Sequence, residues 1–465
     1  MTGPTRTEKD SLGPFEVPAD ALYGVQTARA LENFPISGRG PDPDFVTATV
    51  QVKRAAAVAN ETGGTLEGRL AEAIRAACDR VLAGEFREHF VVDRFQAGAG
   101  TSHNMNGNEV LANLANLALG GELGDYDPVH PNDHVNQSQS TNDTIPTAIR
   151  LTALAKLPRL TEALSTMAGT LEEHAEREKD TIKSGRTHLQ DAVPTTLGRE
   201  LAAYAWILRE QERRLESAAE PLQRIGLGGS AAGTGLNTPE GYPEAAAAEL
   251  SRLTGRTITP HPDMAAAMQS MADVAHFSGQ IRELAGELTR ISNDIRLLAS
   301  GPRTGLAELK LPAVQPGSSI MPGKVNPVMF EMLNQTLYQV LGQDHAVQAM
   351  AQAGQLELNV MMPAMGSALF DAMDWLTAAV SAATERGLRG MTADRDRARS
   401  YAMVSVGLAT LLNRAIGYEK AAEIAKESER TGRPVAELVE ESGLLSRAEF
   451  ERMVTEAACS GRVSL

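Results

Sequence analysis

Hydrophobic residues recur at alternating spacings of three and four along the central half of the chain. The longest run covers residues 274–298 without a miss, and similar runs cover 157–171, 197–215 and 369–380. Only Gln211 places a polar residue in one of these stripes. This spacing puts the apolar side chains on one helix face, so each run predicts a long helix packed side by side with others in a bundle.

The two ends of the chain lack such long stripes. The N-terminal part mixes turns with helices predicted over 47–60 and 70–82. The C-terminal part favours a few short helices, most clearly over 411–425 and 434–442. We therefore predict an all-α fold with an N-terminal, mostly helical domain, a central long-helix bundle and a small C-terminal helical domain, at residues 1–140, 141–392 and 393–465.

Composition and charge then exclude several classes of protein. The chain has 465 residues, 42% of them hydrophobic, which is enough for a sizeable core and argues against general disorder. Its formal net charge of −15 disfavours nucleic-acid partners. No segment is apolar enough to cross a membrane or to act as a signal peptide. With only Cys78 and Cys459, the chain is expected in a reducing, cytoplasmic compartment.

Four polar stretches interrupt the helical pattern, at residues 98–106, 136–143, 184–191 and 317–331. Such interruptions concentrate at functional sites, because a local rule is usually broken where chemistry requires it. Long helices with narrow apolar stripes also usually need more partners than one chain supplies. We therefore expect an oligomer, with functional residues in these four stretches.

The last stretch combines hydroxyl, ammonium and amide side chains with glycines that let a loop bend. Asn326 followed by Pro327 predicts a helix start with Asn326 as the N-cap. Lys324, Asn326 and the free N–H groups of this helix terminus are expected to face an anion such as a carboxylate. Ser318 and Ser319 stand where they could act on it.

The second stretch places Ser140, Thr141, Asn142 and Asp143 before a helical run. One capping residue is sufficient at a helix start, and simple capping is the structural alternative. The surplus of donors suits a bound carboxylate.

Thr187 and His188 precede another predicted helix start, near Pro194. A lone histidine is more often structural than catalytic, and both interpretations stay open at this point.

Two other motifs predict neither a metal site nor a nucleotide site. His130 and His134 have a spacing that binds metal on a helix, but residues 131–133 between them read as a turn. The glycine-rich segment 226–235 lacks a preceding strand and a Walker motif, and we interpret it as a turn between helices. We predict no metal and no cofactor.

Taken together, the four stretches resemble the fumarase/aspartase superfamily over nearly the whole chain, and the loop 317–327 resembles its signature. The resemblance implies a three-domain helical protomer. It also implies a homotetramer with a core of long helices and with active sites shared between three subunits. The implied partner is a small dicarboxylate substrate.

Within the superfamily, segments similar to aspartases lie at residues 13–25, 97–102, 140–142, 327–335 and 353–360. Segments similar to fumarases lie at residues 129–133 and 416–425. Met362 departs from both, because aspartases tend to have Glu there and fumarases a basic residue.

The resemblance implies reversible anti-elimination of ammonia from L-aspartate to give fumarate, through an enediolate intermediate. Fumarate hydratase is the first alternative, and a lyase for another substituted succinate is the second. A non-catalytic structural relative is disfavoured by the intact Ser318, Lys324 and Asn326. A dinucleotide-binding enzyme is disfavoured by the missing βαβ pattern.

The same resemblance implies roles for individual residues. Ser318 would be the base on a mobile loop, and His188 would be catalytic or near the leaving group. Glu331 would support His188 across a subunit boundary. A secondary anion site would be formed by His130, Asn132 and Asp133, which in the alternative interpretation cap a turn. The substrate-binding residues would be Thr101, Ser140, Thr141, Asn142, Thr187, Ser319, Lys324 and Asn326.

Overall fold

The structure is a computed structural model that describes residues 3–461. Helices dominate it, as the all-α prediction requires. The longer helices and the short helices of the C-terminal part are α1 Val25–Asn33, α2 Pro43–Thr62, α3 Gly68–Leu82, α4 Thr101–Ala118, α5 Thr141–Arg177, α6 Leu197–Ala219, α7 Tyr242–Thr254, α8 Met264–Gln269, α9 Ala272–Leu298, α10 Val328–Ala351, α11 Met362–Ala383, α12 Arg395–Val404, α13 Asn413–Ile416, α14 Tyr418–Thr431, α15 Val435–Glu441 and α16 Arg447–Ser460.

Short strands form two-stranded pieces between the helices. Two of these pieces are antiparallel hairpins, β1 with β2 and β3 with β4. The strands are β1 Thr5–Asp10, β2 Gly13–Pro18, β3 Ile182–Thr187, β4 Gln190–Thr196, β5 Arg224–Ile225, β6 Thr259–Pro260, β7 Leu309–Lys310 and β8 Thr392–Ala393.

The side chains of the apolar stripes are buried along one face of each long helix, as their spacing predicts. Every residue that defines the 274–298 stripe is at most 5% exposed. Those of the 369–380 stripe are fully buried, and even polar Gln211 is only 3% exposed. Burying one face of each helix in this way supplies most of the stability of a helical bundle.

By its internal contacts the chain divides into two compact units. The first consists of the described residues up to Leu160, with Arg214–Glu283 and Gln339–Trp375. Its long helices are joined by polar contacts as well as by apolar ones. Arg150 of α5 donates to Asp273 of α9 at 2.7 Å, and Ser278 of α9 donates to Asp344 of α10 at 2.7 Å.

The second unit consists of Thr161–Arg213, Leu284–Tyr338 and the described residues from Leu376 onward. Here α6 meets α9 through Tyr204, whose hydroxyl lies 3.1 Å from Asp294. The Asn334 amide of α10 donates to Asn293 of α9 at 2.8 Å. The three-domain boundaries at residues 140 and 392 stay a prediction.

Three local predictions about helix bounds are wrong. The helix predicted over 411–425 is interrupted at Gly417, whose φ of 82° is unsuited to a helix. The helix expected near Pro194 begins at Leu197, because Pro194 lies in β4. The helix expected to begin at Asn326 and Pro327 begins at Val328. Among the described residues, every helix is too short or too polar to cross a membrane.

Candidate active site

Thr101 is the first residue of α4 and its side chain is exposed. The residues before it turn sharply, since Ala99 and Gly100 have φ values of 62° and 90°. The Ala99 N–H donates to the Val360 carbonyl at 2.8 Å, which holds this turn in place. No side chain caps the helix start. An uncapped helix N-terminus beside an exposed hydroxyl suits an anion.

The start of α5 contains both a cap and a spare hydroxyl. The Ser140 Oγ accepts from the Asn142 N–H at 3.2 Å, and the Asp143 carboxylate accepts from the Ser140 N–H at 3.0 Å. This is a reciprocal cap, so the capping alternative holds for Ser140 and Asp143. Thr141 takes no part in the cap, and its oxygen accepts from the Asn104 amide at 3.3 Å. Its hydroxyl hydrogen is therefore directed elsewhere.

Asp143 connects this helix start to the glycine-rich segment 226–235. Its second carboxylate oxygen accepts from the N–H groups of Gly228 and Ser230, at 3.1 and 2.9 Å. The Asn142 amide donates to the Ala231 carbonyl at 2.8 Å. Burial raises the pKa of the Asp143 carboxyl to about 7, while the three N–H groups act in the opposite direction.

Asp143 was not selected as a site residue from the sequence. An acidic residue three positions after a serine is the signal that predicts a reciprocal cap. This signal could have singled out Asp143 as a capping residue within the polar stretch.

Lys53 of α2 is a second residue that the sequence did not indicate. Its ammonium group is fully buried and donates to the side-chain oxygens of Asn104, Asn136 and Gln139, at 2.6, 3.0 and 2.9 Å. Burial lowers the pKa of Lys53 to about 7. The only sequence signal was its position three residues after buried Val50, on the apolar face of the helix.

In the second unit, Thr187 and His188 lie at the tip of the β3–β4 hairpin. Thr187 pairs with Gln190, so His188 and Leu189 form a two-residue turn with φ values of 56° and 60°. Left-handed backbone at two residues with side chains is unusual, and such strain often marks a functional site. Both Thr187 and His188 are exposed.

Arg186 fixes the hairpin just before this turn. Its guanidinium group makes two hydrogen bonds to the Glu308 carboxylate, at 3.1 and 2.8 Å. Glu308 is fully buried, so this paired contact ties the hairpin to the core of its unit. The exposed tip is thus carried on a firmly held base.

The loop 317–326 is closed at its base by two hydrogen bonds. The Gly317 N–H donates to the Lys324 carbonyl at 2.8 Å, and the Asn326 amide donates to the Gly317 carbonyl at 2.7 Å. A Cβ atom at Gly317 would lie 2.5 Å from the Lys324 carbonyl oxygen, so only glycine fits. The Asn326 amide therefore closes the loop, and because α10 begins at Val328 its N-cap position is Pro327 and not the predicted Asn326.

Ser318 lies inside this loop with its side-chain oxygen facing backbone donors. The N–H groups of Ile320 and Met321 donate to its Oγ at 3.2 and 2.9 Å. Two such donors stabilise negative charge on the oxygen, which a serine needs if it is to act as a base. Ser319 and Lys324 are exposed on the same loop.

The predicted supporting contact between Glu331 and His188 is not made within the single chain. In the part of the chain that the structure describes, no hydrogen bond or ion pair joins them. Glu331 lies in the first turn of α10 and is half-buried. A contact across a subunit boundary stays a prediction. Met362, the departure from both subfamilies, is fully buried at the start of α11.

His130, Asn132 and Asp133 lie at the start of a single π-helical turn at residues 131–135, in which His130 is the N-cap. The His130 Nδ1 accepts from the backbone N–H groups of Asn132 and Asp133, both at 3.3 Å. The His134 Nδ1 accepts from the His130 N–H at 2.8 Å. The segment predicted to be a turn instead of a helix is thus a single helical turn capped by His130, and the secondary anion site stays a prediction.

Comparisons with known proteins show the family of the chain. A sequence model of the family described as "Lyase" matches residues 13–342, and one described as "Fumarase C C-terminus" matches residues 408–457. The chain belongs to the fumarase/aspartase superfamily of lyases. The resemblance inferred from the four polar stretches is thereby confirmed.

Relatives in this superfamily match nearly end to end. The aspartate ammonia-lyase of Pseudomonas canavaninivorans is 47% identical, over 95% of this chain and 94% of its own length. That of Escherichia coli (strain K12) is 44% identical, over 97% and 95%.

Solved structures of superfamily members have the same fold. A fumarate lyase:delta crystallin from Brucella melitensis, bound to cobalt, has a TM-score of 0.94 and 45% identity, over 97% of this chain and 98% of its own. A class II fumarase from Schistosoma mansoni has a TM-score of 0.94 and 34% identity, over 99% and 100%.

Proposed function

We propose that this superfamily member is an aspartate ammonia-lyase, which reversibly eliminates ammonia from L-aspartate to give fumarate. The relatives with that name are 44–47% identical to it over almost the whole chain. The observation in the molecule that carries the proposal is Ser318, whose Oγ receives two backbone N–H groups in a closed, exposed loop.

In the proposed mechanism, Ser318 removes a proton from the carbon next to a substrate carboxylate. The electron pair moves into that carboxylate and gives a dianionic enediolate, which then expels ammonia. Both charged species need donors that are already in place. The N–H groups of Ile320 and Met321 stabilise the serine oxyanion before the proton moves.

Two sets of donors hold the two carboxylates. Thr101, Ser140 and Thr141, at the starts of α4 and α5, together with Ser319, hold the carboxylate whose charge grows. Lys324 supplies a cation to the other carboxylate, with Thr187 and Asn326 beside it.

Asn142 and His188 lie near the leaving group. The Asn142 amide nitrogen is already used by the Ala231 carbonyl, so its oxygen is left to accept from the substrate amine.

A homotetramer with active sites shared between three subunits completes the proposal. Exposed apolar side chains on the long helices support such an assembly, including Trp206 on α6 at 64% and Tyr338 on α10 at 54% exposure. Mixing the inactive variants Thr101→Val and Ser318→Ala under conditions that exchange subunits tests it. Regained activity is expected, since some sites then receive both native residues. No recovery in a verified mixed tetramer would contradict shared sites.

Fumarate hydratase is the second candidate. The match of residues 408–457 to the fumarase C C-terminal family favours it, as does the likeness to a class II fumarase. A lyase for another substituted succinate is the third candidate, since Met362 departs from both subfamilies. We further propose a cytoplasmic enzyme without a cofactor, consistent with two free cysteines, Cys78 and Cys459.

Ultraviolet absorbance of fumarate separates these candidates. The purified protein is offered L-aspartate and L-malate in separate reactions, with the Ser318→Ala variant as the control for contaminating activity. Fumarate is expected from L-aspartate. If fumarate forms from L-malate and not from L-aspartate, the protein is a fumarate hydratase and the ammonia-lyase proposal fails.

A further inference from the structure

Lys53 forms a buried polar centre behind the start of α5. An ammonium group has only donors, so every amide that touches it must present its oxygen. Asn104, Asn136 and Gln139 do so at 2.6–3.0 Å. An unpaired charge in such a place would be strongly destabilising, and these three contacts are what make it tolerable.

The orientation of Asn104 has a direct consequence for Thr141. Because the Asn104 oxygen faces Lys53, its NH₂ group faces the other way, and donates to Asn136 at 3.1 Å and to the Thr141 Oγ at 3.3 Å. Thr141 therefore accepts from Asn104 and cannot donate to it. Its own hydrogen is free to be donated away from the buried centre, at the N-terminal end of α5.

We propose that Lys53 is a positioning residue that acts through Asn104 to keep the Thr141 hydroxyl a donor to the substrate carboxylate. The proposal rests on the proposed function, in which Thr141 holds the carboxylate whose charge grows. Without the Lys53 ammonium group, the Asn104 amide can turn over and present its oxygen to Thr141. The Thr141 hydrogen would then be donated to Asn104 and be lost to the substrate.

The wider surroundings are consistent with a set orientation. Thr144 donates to the Asn104 oxygen at 3.2 Å, which reinforces the side that faces Lys53. Asn108 donates to the Asn136 oxygen at 3.1 Å, so that amide too has its oxygen at the centre. Asn104 and Asn136 are thus each held in one orientation by several contacts, although the Asn108 Oδ1 has no hydrogen-bond partner.

A double-mutant cycle with Thr141 tests the proposal. Lys53→Met is expected to lower kcat for L-aspartate by about 10-fold or more, with a smaller change in KM, because the lost donor acts mainly in the transition state. In a Thr141→Val background the same change is expected to have no further effect on kcat/KM. Equal losses in both backgrounds would overturn the proposal, as would an unchanged kcat in folded Lys53→Met.

Two further variants keep this test decisive. If Lys53→Met does not fold, Asn104→Asp places an acceptor oxygen against the Thr141 hydroxyl with Lys53 still in place, and is expected to show the same kcat loss and the same dependence on Thr141. Lys156→Met is the matched control, since Lys156 is a buried lysine of α5 paired with Asp374, about 22 Å along the helix from Thr141. It is expected to lower Tm and to leave kcat unchanged.

The role proposed for Lys53 and the proposed function can fail independently of each other. If the wild-type protein forms fumarate from L-malate and not from L-aspartate, the ammonia-lyase proposal fails. The same cycle is then run with L-malate, where Lys53 is expected to show the same dependence on Thr141.

Discussion

The start of α5 and the loop 317–326 present hydroxyl groups in opposite structural settings. At the start of α5, Ser140 donates to fully buried Asp143. Thr141 is connected to fully buried Lys53 through the Asn104 amide. In the loop, the Ser318 Oγ accepts from backbone N–H groups of its own loop, and neighbouring Ile320 is 83% exposed.

This difference matches the roles proposed for the two regions. Hydroxyl groups that stabilise a growing charge act best when they are held in place before the reaction. A serine that acts as a base from a loop closing over the substrate needs an exposed segment whose two ends are fixed. The two hydrogen bonds at Gly317 fix the two ends of this loop. Substitutions at the start of α5 should therefore affect stability and activity together, whereas those in the loop should affect activity alone.

The largest effect is expected for Ser318→Ala. Removing the base should lower kcat by about 1000-fold or more, because proton removal then has no acceptor in place. The Tm and the oligomeric state should not change, since the hydrogen bonds of the Ser318 side chain to described residues stay within its own loop. Fumarate formation and thermal unfolding are measured on the same sample. Wild-type activity in this variant would remove Ser318 as the base.

A smaller loss is expected for Gly317→Ala, which attacks the fixed base of the loop. The new Cβ would meet the Lys324 carbonyl oxygen at 2.5 Å and the Asn326 nitrogen at 2.9 Å. Displacing Ser318 by about 1 Å should lower kcat/KM by about 100-fold at an unchanged Tm. The control Gly286→Ala lies in α9 with open space at its Cβ, and should keep full activity. A large drop in Tm with Gly317→Ala would show that the loop also supports the fold.

The subtlest effect is a pH dependence at the start of α5. Burial raises the pKa of Asp143 from 3.8 to about 7, so the folded protein keeps a proton there that the unfolded chain has released. This contribution to stability is complete below pH about 4 and falls as pH rises to about 7. Relative to Asp143→Asn, the wild-type protein should therefore lose stability across this range. Parallel unfolding free energies from pH 4 to 7 would contradict the assignment.

Local features could be predicted from the sequence, whereas contacts between residues far apart in the chain could not. The stripe over 274–298 and the hydroxyls at the start of α5 depend on neighbours within one helix turn. Lys53 and Asp143 are hydrogen-bonded to partners that lie 51 and 87 residues away in the sequence. No pattern along the chain encodes such contacts.

The loop and the hairpin follow the same rule. The glycine at position 317 indicated a bend, but its contact with Lys324 appears only when the loop is closed. The β3–β4 hairpin was missed because the turn at His188 and Leu189 contains no glycine or asparagine, the residues that usually signal such a turn.

Ammonia as the leaving group is the central claim, and the reverse reaction tests it most directly. Fumarate is incubated with the protein in D₂O, with and without ammonium chloride, and the products are followed by proton NMR. We expect aspartate carrying a single deuterium at the carbon next to the carboxylate whose charge grows, which is the carbon without the amino group, in one configuration, and only when ammonium is present. Malate formed at the same rate with or without ammonium would contradict the account.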